Sequence, residues 1–251
     1  MENFKVIVLA AGQGKRMRTE LPKVLHPLYD TTILEYLLTT IRETFGENYF
    51  LVISPKIKNY LSQVSENNIV LQEVPLGTGD AVRKVEPLLG DYDGDVLVLP
   101  GDVPLIKKET LNSLCLTHRK ENNVCTIVTA VMENPQGYGR IVRDLKGDIV
   151  KIVEEKDASE EERKIREINT SIYAFKWLNL KEALCLLNNN NVQKEFYLTD
   201  VVSIFARNKL KIGAFPVDLE EVLGANTQEE LSYIRKILKR NINKNNMDKG
   251  V

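Results

Sequence analysis

Histidine, cysteine and tryptophan are scarce in this chain of 251 residues, which holds two, three and one of them. His26 and His118 are too few and too far apart in sequence to suggest a ligand cluster or a nucleophile with its base, so packing or surface positions are expected for both. Cys115, Cys125 and Cys185 fit neither a disulfide framework nor a zinc spacing and read as buried apolar residues. An excess of one charge is also missing. With 34 basic and 35 acidic residues the net charge is −1, so no bulk field calls for nucleic acid or anionic lipid, and any anion site must be local. No apolar run approaches the roughly 20 residues of a membrane-spanning helix. The chain opens Met1-Glu2-Asn3-Phe4-Lys5 and enters a strand at Val6, without the basic region and apolar core of an exported protein; a cytosolic protein is expected.

What is present is enough apolar sequence for a full core: 43% of residues are hydrophobic and 27% charged, at the upper end of single-domain length. Short β-rich runs at Val6–Ala10, Phe50–Ile53, Ile69–Leu71 and Val96–Leu99 alternate with helical patterns at about 32–45, 79–88 and 107–122. That alternation predicts a Rossmann-like, mostly parallel sheet with helices on both faces, where ligands bind at the carboxyl ends of the strands. Beyond it the pattern predicts a strand at 124–132, a hairpin of 139–143 with 148–153 turning at Lys146-Gly147, a strand at 168–175, helices at 178–188 and 196–208, a strand at 211–217 and a helix at 227–240. One α/β unit with a lobe inserted in its second half is expected, followed by a polar, frayed tail at 241–251.

Four segments carry chemistry. In V-I-V-L-A-A-G-Q-G-K-R-M-R-T-E-L-P-K, Val6 to Lys23, a buried strand stops at Gly12 and Gly14, and Lys15, Arg16, Arg18 and Lys23 follow within nine residues. Glycines let backbone N–H groups approach an anion and the cations add local positive charge. A Walker loop and a dinucleotide turn are both excluded, the second because Met17 stands where its third glycine belongs; taken alone, a solvated strand-to-helix turn is the weightier reading. In V-L-V-L-P-G-D-V-P-L, Asp102 stands at the carboxyl end of a strand, where an Asp meets a metal ion and phosphates, or else caps the helix near Lys107. In L-Q-E-V-P-L-G-T-G-D-A-V, Gln72 offers an amide to a base edge and Gly77-Thr78-Gly79 opens a helix, with Thr78 as plain N-cap the alternative. The fourth set is G-Y-G-R (137–140), V-E-E-K-D (153–157), E-I-N-T-S (167–171), E-F-Y-L-T-D (195–200) and L-G-A-N-T (223–227), whose amides and carboxylates suit a hydroxyl-rich ligand or are ordinary surface.

Taken in order over about Val6 to Leu231, these strings resemble the uridyltransferase domain of bifunctional N-acetylglucosamine-1-phosphate uridyltransferases. The resemblance implies transfer of UMP from UTP to N-acetylglucosamine 1-phosphate with magnesium as cofactor. It implies nucleotide contacts at Leu9, Ala11, Gly12, Gly14, Lys23, Gln72, Gly77 and Thr78, catalytic roles for Arg16, Lys23 and Asp102, magnesium ligation by Asp102 and Asn226, and sugar-side contacts at Gly139, Glu154, Asn169, Tyr197, Thr199 and Asn226. The nucleotide half would span about 1–123 and the sugar half about 124–226. Pro100 replaces a common tyrosine, Ser171 a usual glycine and Lys15 a frequent threonine. The β-helix acetyltransferase domain of the bifunctional members does not follow, so neither acetyl transfer nor that kind of trimer is expected; other oligomers stay open. Rival readings are a glucose-1-phosphate uridylyl- or thymidylyltransferase and a non-catalytic sugar-nucleotide binding module.

Overall fold

A computed structural model describes residues 4–12, 14, 17, 19–61 and 63–248, the side chains of 244–248 excepted. Strand β1 (Phe4–Ala10) is followed by a small ribbon of β2 (Pro27–Leu28) and β3 (Thr31–Thr32), then α1 (Ile33–Phe45), β4 (Tyr49–Ile53), α2 (Pro55–Lys58), β5 (Ile69–Leu71), α3 (Thr78–Arg83), α4 (Glu86–Leu89) and β6 (Asp95–Pro100). The second half runs α5 (Lys108–Lys120), β7 (Cys125–Val131), β8 (Gly139–Arg143), β9 (Ile149–Val153), α6 (Glu160–Arg163), β10 (Glu167–Lys176), α7 (Trp177–Cys185), α8 (Asp200–Arg207), β11 (Ile212–Pro216) and α9 (Gln228–Asp248).

The main sheet has the order β11-β7-β10-β6-β1-β4-β5, with the β8–β9 hairpin hanging from β10. Along this path every strand but β10 points the same way, since β10 is antiparallel to both β6 and β7 while the other pairs are parallel. The start of β10 therefore lies at the edge where its neighbours end: Asn169 is level with Thr129 of β7. That reversal brings second-half residues beside the carboxyl ends of β1, β4, β5 and β6, the edge at which such sheets bind ligands.

Both faces are covered. Val6 and Val8 of β1 pack under α1 and α5, whereas Ile7 between them packs under α3, α7 and α8. Consecutive buried residues of this kind are what a strand covered on both sides requires, and they explain why the strands read as unbroken apolar runs. Thr32 caps α1 by accepting from the Glu35 amide at 3.1 Å, a contribution of about 1 kcal/mol. A third cluster seats Leu231, Ile234, Ile237 and Leu238 of α9 against Leu28, Ile33 and Leu105.

Several local expectations are corrected. The helix expected over 79–88 is two, because Pro87 lacks an N–H and its ring clashes with a helical carbonyl four residues back. The helix expected from Phe196 begins at Asp200, the residues before it being held by the 76–79 loop. Residues 241–248, expected as a frayed tail, continue α9, for once a helix is nucleated and anchored each added residue costs little. Cys185 is exposed, while Cys115 and Cys125 are buried as read, with burial pushing both thiols up, Cys115 to about 12. His26 and His118 are both buried. Among the described residues no helix is long and apolar enough to cross a membrane.

Candidate active site

Beyond β1, Gly14 stands against Lys23: its φ of +58° suits glycine, and an added Cβ would lie 2.8 Å from the Cβ of Lys23. Lys23 opens a short 3-10 turn anchored by buried Val24 and Leu25. Its ammonium donates to Asp102 Oδ2 at 2.5 Å and to Asn226 Oδ1 at 3.0 Å. Three residues remote in sequence thus meet at one point. Asp102 follows β6, and its backbone carbonyl accepts from the Ala225 amide at 3.0 Å, which fixes the 224–226 segment against it. Asp102 does not cap the following helix, whose N-cap is Lys107 without a side-chain bond.

Oxygens from Asp102 and Asn226 converge on a position already filled by a cation, the Lys23 ammonium. A carboxylate oxygen and an amide oxygen are the donors a hard divalent ion takes, and magnesium keeps several waters or phosphate oxygens besides. No group of three or more His, Cys, Asp or Glu that could hold a metal occurs among the described residues, so two protein ligands are the supply here. The pair fits an ion shared with phosphates.

At the end of β5, Gln72 is buried at 4% exposure. Its Nε2 donates to Gly77 O at 3.1 Å and to Asp80 Oδ2 at 2.8 Å. Gly77 has φ +116°, and a Cβ there would strike the Phe196 carbonyl at 2.5 Å. Thr78 is not the helix N-cap, which is Gly77; its hydroxyl accepts from the Leu198 amide at 3.0 Å. The Gly79 amide donates to Phe196 O at 2.8 Å and the Phe196 amide to Leu76 O at 2.7 Å, so the β5–α3 loop is stitched to the 195–198 segment.

On the other side Gly139 pairs with Asn169, and Arg140 with Val153, which sets Glu154 beside them. Glu154 accepts from the Thr199 hydroxyl at 3.0 Å. Burial raises its pKa above the ordinary range, the Thr199 bond works against that, and Asp200, Asp157 and Glu195 add to the rise. Asp200 is raised for the same reasons, burial first and then Asp157. Tyr197 donates to Asp157 Oδ2 at 3.2 Å. Asn169 is the most internally engaged member: Nδ2 donates to the Tyr173 hydroxyl at 2.7 Å and Oδ1 accepts from the Ser171 amide at 3.2 Å.

The structure therefore assembles two groups, Lys23 with Asp102 and Asn226, and Gly139 with Glu154, Asn169 and Thr199. Leu9 and Ala11 lie at the end of β1, where the Leu9 carbonyl already accepts from Gly101, and Gly12 is exposed just beyond. Arg16, Lys15 and Arg18 lie outside the described residues. Asp80, Asp157, Tyr173 and Ser171 were not singled out by sequence reasoning for what they do here. Only Asp80 had a visible signal, an acid in the first turn of the helix that the G-T-G turn opens. A cavity of about 710 Å³ between α1, α5 and α9, bordered by Tyr36, Leu105, Lys107, Glu221 and Ile237, contains none of the site residues.

Residues 5–218 match the nucleotidyl transferase family model. The bifunctional protein GlmU of Clostridium acetobutylicum is 42% identical over 246 residues, 97% of this chain and 54% of that protein. The bifunctional protein GlmU of Streptococcus uberis is 45% identical over 255 residues, 100% of this chain and 55% of its own length. The chain thus spans about half the length of the curated relatives it matches. A crystal structure from Bacillus anthracis, assigned as a glucose-1-phosphate thymidylyltransferase, superposes with a TM-score of 0.74 over 93% of this chain and 94% of its own, at 15% identity, a likeness of fold. With most of its length matched by the family model and its strand edge carrying the convergent site, the chain belongs to the nucleotidyl transferase family.

Proposed function

We propose that the chain joins UTP to N-acetylglucosamine 1-phosphate, giving UDP-N-acetylglucosamine and pyrophosphate, in the cytosol. The observation that carries this is the meeting of Asp102 Oδ2, Asn226 Oδ1 and the Lys23 ammonium at the end of β6, beside a second group made of neutral and acidic hydrogen-bonding side chains. The relatives named GlmU, at 42–45% identity, support the uridylyl and N-acetylglucosamine assignment.

A phosphate oxygen of the sugar 1-phosphate forms a bond to the α-phosphorus of UTP, and the bond to the bridging oxygen breaks, its electron pair leaving with pyrophosphate. No protein nucleophile is needed. A magnesium ion would supply positive charge that offsets the repulsion between the two phosphate groups. Asp102 and Asn226 would hold it, and Lys23, displaced from Asp102, would turn to the phosphates, joined by Arg16 as the resemblance implies. Bringing two anions to reacting distance is the main task, and positioning of this kind removes up to about 7–11 kcal/mol of barrier in general. The backbone at Leu9, Ala11, Gly12 and Gly14 would support the nucleotide, and Gln72, Gly77 and Thr78 would face the base. Glu154, Thr199, Gly139 and Asn169, with Tyr197 behind Asp157, would meet the sugar. Residues 1–123 and 124–226 are on this reading the two halves of one catalytic domain.

Pyrophosphate release by the purified chain with magnesium and UTP tests the proposal. Release with N-acetylglucosamine 1-phosphate well above that with glucose 1-phosphate is expected. Preference for glucose 1-phosphate would overturn the sugar, and silence with every sugar and nucleotide would leave a binding module.

A further inference from the structure

Gln72 is the side chain proposed to read the base, and an amide can present either a donor or an acceptor. Which one it presents is decided behind it. Both Nε2 hydrogens are spoken for, one by Gly77 O at 3.1 Å and one by Asp80 Oδ2 at 2.8 Å, all in the buried base of the β5–α3 loop. Rotating the amide by half a turn would set Oε1 against a carbonyl and a carboxylate, two acceptors with no hydrogen to give. Asp80 is itself buried at 4% exposure and held in the first turn of α3, with Lys84 3.6 Å from its second oxygen.

We propose that Asp80 is a positioning residue for base selection: it locks the Gln72 amide so that its carbonyl oxygen meets the base, which favours bases bearing a ring N–H at that edge, uracil or thymine, over cytosine. This rests on the uridylyl reading above. Uracil presents N3–H, which Gln72 Oε1 can accept, whereas cytosine presents an N3 lone pair at the same place. A site whose buried polar group is left facing another acceptor rejects that ligand strongly, because the lost bond cannot be replaced by water. Specificity then arises from a residue that never touches the nucleotide.

The test is nucleotide binding by calorimetry with magnesium, UTP against CTP, in the wild-type chain and in Asp80→Asn. Asparagine keeps the shape but can donate as well as accept, so the turned amide of Gln72 would oppose one acceptor, the Gly77 carbonyl, where it now opposes two. The preference for UTP is expected to fall by about tenfold or more, a change of about 1.4 kcal/mol, with UTP binding itself retained. A preference kept within about a factor of two, with UTP still bound, would overturn the role of Asp80 and leave the uridylyl reading standing. Wild-type protein binding the two nucleotides alike would overturn both. Selective UTP binding without pyrophosphate release would overturn the transferase reading only. Should Asp80→Asn fold poorly, side-chain amide NMR of the wild type decides: both Gln72 Nε2 protons are expected to be protected from solvent exchange before and after UTP is added, and exchange at the rate of an exposed amide would overturn the lock.

Discussion

Asp102, at the end of β6, lies 2.5 Å from the ammonium of Lys23, whereas Glu154, at the end of β9, takes a neutral hydroxyl from Thr199 and sits in the field of Asp200, Asp157 and Glu195. Among the described residues no cation is paired with Glu154. One edge of one sheet thus treats two sets of carboxylates in opposite ways. On the proposed reading the paired side stays close to neutral until phosphates and a metal ion rearrange it. The unpaired side keeps lone pairs available for hydroxyl donors, at the cost of burying charge that burial disfavours. If the proposed substrates are right, a site for a charged and a hydroxylated ligand need not average its electrostatics; it can segregate them by strand.

The largest expected effect comes from breaking the paired side. Asp102→Asn should lower turnover by about 10³-fold, as removal of a preorganised charge contact does elsewhere, while circular dichroism melting stays close to wild type; near-normal pyrophosphate release would dismiss Asp102 from the chemistry. Glu154→Gln, by contrast, should show itself in stability. Its native pKa is raised, so the folded state binds a proton more tightly than the unfolded one and the wild type loses stability as pH rises through the range above an ordinary glutamate. At neutral pH the variant should melt higher, by roughly 2 °C, with the gap closing as pH falls below that range, and its KM for the sugar phosphate should rise. A variant melting lower at neutral pH would show that the carboxylate is stabilised as an anion after all.

Two smaller changes probe how the halves are joined and shaped. Thr78→Val removes the acceptor for the Leu198 amide and should cost about 1–2 kcal/mol in urea unfolding, loosening the stitch between the base loop and the sugar loop; no change in unfolding free energy would mean that water serves that amide equally well. Ser171 has φ +62°, a left-handed conformation that costs a non-glycine residue about 1–2 kcal/mol, part of which glycine returns as chain entropy. Ser171→Gly should therefore stabilise by about 0.5–1 kcal/mol. A neutral result would mean that the extra chain entropy glycine loses on folding offsets the relieved strain in full.

Much of this was legible in the sequence, for identifiable reasons. Strands covered on both faces read as apolar runs, so β1, β4, β5 and β6 stood within a residue or two of their observed bounds. Gly14, Lys23 and Asp102 were visible as types at strand ends. What could not be read was who faces whom. The Lys23–Asp102 contact crosses 79 residues and Gln72's lock on Asp80 depends on a loop held from the other half. Thr78 could have been a cap by every local rule, and only the approach of Leu198 gave its hydroxyl another use. Ser171 looked like an ordinary polar replacement, since the positive φ belongs to the bulge where β10 shifts register between Asn169 and Tyr173.

Lys23 and Asn226 stand 203 residues apart and yet share a hydrogen bond, so the site exists only while the segment 223–226 stays docked. That segment is fastened by the Ala225 amide on Asp102 O and by the Asn226 amide on Glu230 Oε2 at 2.9 Å. Undocking it would leave the nine-stranded sheet intact while, on the proposed reading, dispersing the phosphate site, so local opening is expected to end activity before global unfolding. Hydrogen exchange should show the Ala225 and Asn226 amides opening with a smaller free energy than those of β1, and inactivation by heat preceding loss of the sheet.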